Sequence, residues 1–414
     1  MTSKPKIFVS AYACEPGLGS EIGVGWHWVL EMSRHFELWV LTRKSNQHTI
    51  EPWIAEHPEY AGIHFLYFDL PQWAKWWKKG MRGVRVYYYL WILLSESMVR
   101  KTMEANGIDI YHYLTYGNAL WPVSRYGSTR CFIWGPTSAG VSMPKSFTKH
   151  YSLSNRIKEL IQRWAKITIG WNVPFRNRCR KANLILCKTD ETMRLVPREY
   201  QRKCKQFTDV AVEVKDVDAY VRERSNQTIH TYFSAGTMVG WRNHDVLIEA
   251  FALLLQKRPN SKLIILGDGP ERLRLERLIS TLKIEAFVEL GGQVDMQNYY
   301  QAMANSDVIV NSCFREGAVT VSFDSISFAK PLICFDTGGY THYFKNEYSR
   351  VISGCQNRNE AVLRLYEAMY ELSDKELARQ LGEKAREHAE EFGWTEKGRL
   401  IKEAILECYE DWKK

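Results

Sequence analysis

Short apolar runs alternate with amphipathic stretches along the whole chain, the pattern of βαβ units and parallel sheets. In the front half this predicts strands at Lys6–Ala11, Leu38–Thr42, Ile63–Phe68, Asp109–His112, Cys131–Trp134 and Leu184–Cys187. In the back half it predicts Thr231–Ala235, Leu263–Leu266, Phe287–Leu290, Val308–Asn311, Leu332–Phe335 and Arg350–Ile352. Six strands on each side fit an α/β protein of two doubly wound, Rossmann-like domains facing a central cleft. The segment Lys205–Gln227 is charged and weakly periodic and reads as the linker. The expected domains are therefore 1–215 and 216–392, followed by a C-terminal helix at 393–414.

In open α/β sheets ligands bind outside the carboxyl ends of the strands, and the Gly-rich or polar loops of this chain fall there. The densest chemistry lies in Arg315–Tyr340, REGAVTVSFDSISFAKPLICFDTGGY. A polar strand end runs into Glu316-Gly317, and the helix that follows carries Asp324. Carboxylates eight positions apart fall two turns apart on one helix face. Free N–H groups at the helix start near Gly317 attract an anion. A ligand with hydroxyls at both ends and phosphates between them suits that layout, and a nucleotide-sugar is such a ligand. Ahead of a helix expected at Asp245–Gln256, Arg242 can clamp a diphosphate; taken alone it is a surface residue near an N-cap.

The turn LGDGPE, with Gly267, allows close backbone approach but also serves packing. The front loop ACEPGLGSEIGVGW lacks the GxGxxG spacing of a dinucleotide site, although Gly19 and Ser20 can offer N–H groups to an anion. His112, expected at a strand end facing the cleft, is either structural or catalytic. Asp216 and Asp218 have a metal-bridging spacing but sit in the expected linker, and no His, Cys or acidic cluster has ligand spacing, so no metal is expected.

Charge sharpens this picture. The chain of 414 residues carries a net +9, with 33 Lys and Arg against 20 Asp and Glu in residues 1–227, and 23 against 27 in the rest. A basic front half implies an anionic partner. The stretch Trp73–Leu94 interleaves Trp and Tyr with Lys and Arg, as in a helix lying in an anionic membrane interface, or else is a core helix with a basic face. A second basic run, Lys145–Lys181, has ten Lys and Arg opposed only by Glu159. No nucleic-acid-binding motif accompanies the charge, so nucleic acid is not an expected partner. Nine scattered cysteines predict a reduced, cytoplasmic protein, and no run reaches the ~18 apolar residues of a membrane-crossing helix.

The chain resembles the retaining glycosyltransferases of family 4 over nearly its whole length. The resemblance rests on ACEPGLGSEIGVGWHWV at 13–29, DIYHYLT at 109–115, FIWGPTSAG at 132–140, GTMVGWRNHDVLIEAF at 236–251, LIILGDGPE at 263–271 and the 315–340 block. It implies a GT-B fold whose C-terminal helix packs back on the first domain. It also implies metal-independent sugar transfer from a nucleotide diphosphate donor, with retention and without a cofactor, to a glycan or lipid-linked acceptor in cell-surface polysaccharide synthesis. By position, Glu316 would hold donor-sugar hydroxyls and Asp324 the ribose hydroxyls. The N–H groups at Gly317, Ala318 and Val319 would meet the phosphates, with Arg242 where the family has a phosphate-binding Lys. His112 would lie beside the donor sugar, Gly19 and Ser20 near the phosphates and acceptor, and the backbone at Gly292–Val294 would meet the base. Location on the inner face of the cell membrane is the matching expectation. The chain departs from the family at Asp324 (usually Glu), Thr237 (often Arg), Val319 and Ala329 (Gly), and Thr137–Ala139. These departures leave open a catalytically silent nucleotide-sugar-binding or scaffold relative, and an epimerase of related fold.

Overall fold

A computed structural model describes residues 4–74, 83–139, 146–150, 153–221, 229–315, 320–337 and 340–414. The chain forms two compact units: residues 1–140, 166–209 and 394–414 make unit 1, and residues 141–165 and 210–393 make unit 2. Each has its own parallel sheet.

Unit 1 holds β1 (Lys6–Ala11), β2 (Glu37–Arg43), β3 (His64–Phe68), β4 (Ile110–Thr115), β5 (Cys131–Thr137), β6 (Leu184–Cys187) and β7 (Cys204–Gln206) in the order β3-β2-β1-β4-β5-β6-β7. Strands β4 and β5 are buried along their whole length, as expected of parallel strands covered on both faces. The core is strongly aromatic, with Tyr12, Tyr88, Trp91, Tyr111, Phe132 and Trp134 in one cluster. Unit 2 holds β8 (His230–Ala235), β9 (Ser261–Leu266), β10 (Val288–Gly292), β11 (Val308–Asn311), β12 (Leu332–Phe335) and β13 (Ser349–Ile352) in the order β10-β9-β8-β11-β12-β13. Its core is largely aliphatic, built on Leu247, Ile248, Leu263, Ile265, Val310 and Ile333.

The structure departs from the sequence reading in three places. Strand β7 runs into the start of the segment read as a linker; three residues, CKQ, are too few to show a period. The boundary falls at 209/210 rather than 215/216, and residues 141–165 pack with unit 2 although they sit in the front of the chain. In helix Val84–Leu94, Tyr87, Tyr88, Trp91 and Ile92 are buried, which fits the core-helix alternative for Trp73–Leu94, while residues 75–82 of that stretch lie outside the described residues. Strand β4 runs past His112 to Thr115, so that residue is mid-strand, not at a strand end.

Helix Trp394–Lys413 packs within unit 1 on helix Ser20–Ser33, where Gly398 sits so close to Glu31 that a Cβ would stand 2.9 Å from Oε2. Among the described residues no helix is long and apolar enough to cross a membrane.

Candidate functional site

Each sheet reverses its winding at one strand pair, and the loops leaving that pair diverge to form a crevice. In unit 2 the pair is β8 and β11. The loop after β8 begins at Gly236, whose φ of +150° suits glycine alone. It continues through the exposed Thr237 and a single turn at Gly240–Arg242 into helix His244–Leu255. A Cβ on Gly236 would stand 2.9 Å from Cζ and Nη1 of Arg242, so the guanidinium lies against bare backbone. Burial together with this neighbouring cation pushes His244 down to about 3, so its imidazole is neutral at pH 7 and adds no second positive charge.

The loop after β11 is fastened to the same place. Ser312 Oγ donates to the Arg242 carbonyl (2.8 Å), Phe314 N to the Trp241 carbonyl (3.3 Å) and Asn243 Nδ2 to the Ser312 carbonyl (3.4 Å). Phe314 then packs between Phe335 (4.2 Å) and Phe147 (4.4 Å). Arg315 donates to Glu159 Oε1 at 2.6 Å while its guanidinium lies 5.2 Å from the Trp241 ring. The chain is thus held from both sides up to Arg315. Glu316, Gly317, Ala318 and Val319 lie outside the described residues, as do Gly338 and Gly339.

Three more of the expected positions fall in neighbouring loops. A Cβ on Gly267 (φ +123°) would collide with the Gly236 carbonyl, and Met238 N donates to the Asp268 carbonyl at 2.9 Å. Gly267 N donates to the Gly292 carbonyl at 2.7 Å, and Val294 stands exposed two residues on. Gly236, Thr237, Arg242, Gly267, Gly292 and Val294 therefore lie at the carboxyl ends of three adjacent strands of one sheet.

Asp324 is the fifth residue of helix Thr320–Ser327. It is buried, accepts a hydrogen bond from Tyr299 (2.8 Å), and burial pushes its carboxyl up to about 7 against the opposing pull of Tyr299 and Lys215.

In unit 1 the switch point lies between β1 and β4. Gly19 is the N-cap of helix Ser20–Ser33 without a side-chain cap, which leaves first-turn N–H groups for an anion. Glu21 in that turn accepts from Gly117 N (3.0 Å) in the loop after β4; burial raises its carboxyl, opposed by Lys188. His112 is fully buried, not facing open space. Burial pushes it down to about 4, so its ring is neutral and Nε2–H donates to the Gly135 carbonyl at 2.7 Å, leaving Nδ1 without a hydrogen-bond partner among the described residues. Its placement is that of a brace for the irregularity in β5 at Gly135.

Sequence reasoning passed over Tyr299, Phe147 and the Arg315–Glu159 pair. Tyr299 left no signal beyond an aromatic on a helix. Glu159 did, as the lone acid in a run of ten Lys and Arg.

Residues 221–388 match the family of glycosyl transferases group 1. An uncharacterized glycosyltransferase of Methanocaldococcus jannaschii is 25% identical over 166 residues, which cover 37% of this chain and 40% of that protein, so the chain spans about two fifths of that relative's length. Among solved structures, WaaG, a glycosyltransferase involved in lipopolysaccharide biosynthesis, superposes with a TM-score of 0.62 at 15% identity over 96% of this chain and 99% of its own. HepE of Anabaena, solved with UDP and glucose, gives 0.60 at 14% identity over 97% and 100%. The two Rossmann-like units are those of a GT-B fold, and within the second of them residues 221–388 match the glycosyl transferases group 1 model.

Proposed function

We propose that the chain is a retaining, metal-independent glycosyltransferase, moving a sugar from a nucleoside diphosphate sugar onto a glycan or lipid-linked acceptor in cell-surface polysaccharide synthesis. One observation carries the reading. The Arg242 guanidinium lies on the Gly236 backbone at the switch point of unit 2, and its own carbonyl is bonded to Ser312, four residues before Glu316. A fixed cation in that position neutralises a departing diphosphate, and electrostatics of this kind supply much of the barrier lowering in group transfer. Asp324 takes the ribose hydroxyls, the backbone at Gly292–Val294 the base, and Glu316 the donor-sugar hydroxyls. The N–H groups from Gly317 to Val319 take phosphate oxygens. Positioning of donor and acceptor provides the rest. His112 acts through the stretch of β5 at Gly135 that it braces.

The family match over residues 221–388 and the nucleotide bound by the HepE structure support this reading. The proposal includes a cytoplasmic protein held peripherally on an anionic membrane, as the basic front half implies.

Incubation with a panel of nucleotide-sugars and membrane extract tests it. Turnover should fall roughly 10²–10³-fold in Arg242→Ala and in Glu316→Ala, with unchanged unfolding temperature. Near-normal turnover in either variant removes the proposed site. Tight nucleotide-sugar binding with no release of nucleotide would instead favour the silent relative that Thr237, Val319 and Asp324 leave open.

A further inference from the structure

Helix Leu153–Thr168 is turned inside out. Ile157, Leu160, Ile161, Trp164 and Ile167 are 49, 64, 60, 68 and 79% exposed. At ~3.6 residues per turn these five positions fall within an arc of about 120°. The helix's only acid, Glu159, points the other way, into unit 2, where Arg315 takes it. An ordinary surface helix buries its apolar stripe and shows water its charges; here the ion pair is inside and the stripe outside. Contiguous exposed apolar surface on this scale marks a binding face.

Charge identifies what covers it. With Glu159 consumed by Arg315, the remaining charged residues of the helix are Arg156, Lys158, Arg163 and Lys166. The surrounding run Lys145–Lys181 holds ten Lys and Arg and no other acid. A second copy of the chain would bring two such cationic helices together. An apolar stripe bordered by cations matches instead the interface of a negatively charged bilayer, with Trp and Ile side chains at the acyl boundary and guanidinium groups among phosphates.

We propose that helix Leu153–Thr168 lies in the plane of an anionic lipid surface and is the element that docks the protein there. This rests on the peripheral-membrane part of the proposed function and is independent of the donor site. It names a different segment from Trp73–Leu94, whose helix Val84–Leu94 spends Tyr87, Tyr88, Trp91 and Ile92 on the core of unit 1.

The test is co-sedimentation of the full chain with vesicles of phosphatidylcholine alone or mixed with phosphatidylglycerol. Wild-type protein should sediment with the mixed vesicles and not with phosphatidylcholine alone. Ile161→Ser/Trp164→Ser should lose at least tenfold in apparent affinity while far-UV circular dichroism and binding of uridine diphosphate stay unchanged. Arg156→Gln/Arg163→Gln/Lys166→Gln should flatten the dependence on phosphatidylglycerol fraction, which keeps the test informative if the serine variant misfolds. Equal sedimentation of both variants and wild type overturns the assignment of this helix. Failure of the wild type to bind any vesicle overturns docking altogether, and a concentration-dependent dimer that Trp164→Ser dissolves overturns it in favour of a second copy. Failure of the wild type to bind any of uridine, guanosine and adenosine diphosphate would instead count against the donor-site reading and leave docking intact.

Discussion

Arg242 owes its place to a residue with no side chain. The Gly236 backbone, at φ +150°, is the floor on which the guanidinium rests, with 2.9 Å between Cζ and where a methyl would begin. Gly236→Ala therefore both strains the backbone, at a cost of roughly 1–3 kcal/mol, and lifts the cation away. We expect a lower urea midpoint and a larger loss of nucleoside diphosphate affinity, read by calorimetry; an affinity equal to wild type would mean the guanidinium does not meet phosphate. Asp324 offers a second residue-level prediction. Its carboxyl, raised by burial from 3.8 to about 7, favours the protonated form in the folded state. The sign follows: the stability this group contributes is complete below pH 3.8 and is lost as pH rises through about 7. Ribose hydroxyls donate best to the ionised form, so nucleotide affinity should climb between pH 6 and 8, and Asp324→Asn should abolish that climb. The placement of Arg242 ahead of a helix and of Asp324 on one was legible in the sequence. That Asp324 is enclosed and bonded to Tyr299 was not, because the contact spans 25 residues and leaves no local period.

Elements, more than residues, were readable from apolar runs. Each of the twelve expected strands overlaps an observed one, because β-branched and aromatic runs bounded by glycine and polar loops have few other uses in a doubly wound sheet. What the pattern could not reveal was which unit a segment joins. Residues 141–165 follow β5 of the first sheet yet pack with the second unit through Phe147 and Glu159. Such long-range pairing has no period to detect. The Arg315–Glu159 pair is largely buried, at 17 and 6% side-chain exposure, and removing one partner leaves a charge uncompensated. Glu159→Ala should therefore destabilise unit 2 by roughly 3 kcal/mol, seen as a lower urea midpoint. It should also reduce turnover, because Arg315 adjoins Glu316 in the chain. Simultaneous Glu159→Met/Arg315→Met should recover much of the stability and none of the turnover. A double variant as unstable as the single one would show that the charges, not their mismatch, hold the segment.

At the scale of the molecule, the chain leaves unit 1 at residue 140, returns at 166, leaves at 209 and returns once more at 394. The last return buries a lysine. Lys397 lies on helix Trp394–Lys413, 8% exposed, donating to the Thr208 carbonyl at 2.6 Å with its ammonium 4.9 Å from the Phe207 ring. Burial pushes it down to about 7, opposed by Asp209. A depressed lysine is charged in the unfolded chain and neutral in the folded one between pH 7 and its ordinary 10.5. The unfolded state binds more protons throughout that window, so the contribution of Lys397 to stability rises with pH and is lost as pH falls through about 7. Lys397→Met keeps the stem that packs beneath the helix and removes the titration. Its stability relative to wild type should therefore be highest near pH 6 and decline steadily towards pH 10, measured as the difference in urea midpoint across that range. A difference independent of pH would mean the ammonium keeps its charge in the fold, held by Thr208, the Phe207 ring and Asp209. The terminal helix would then be anchored by a buried cation rather than by apolar packing with Ile401, Ala404 and Ile405.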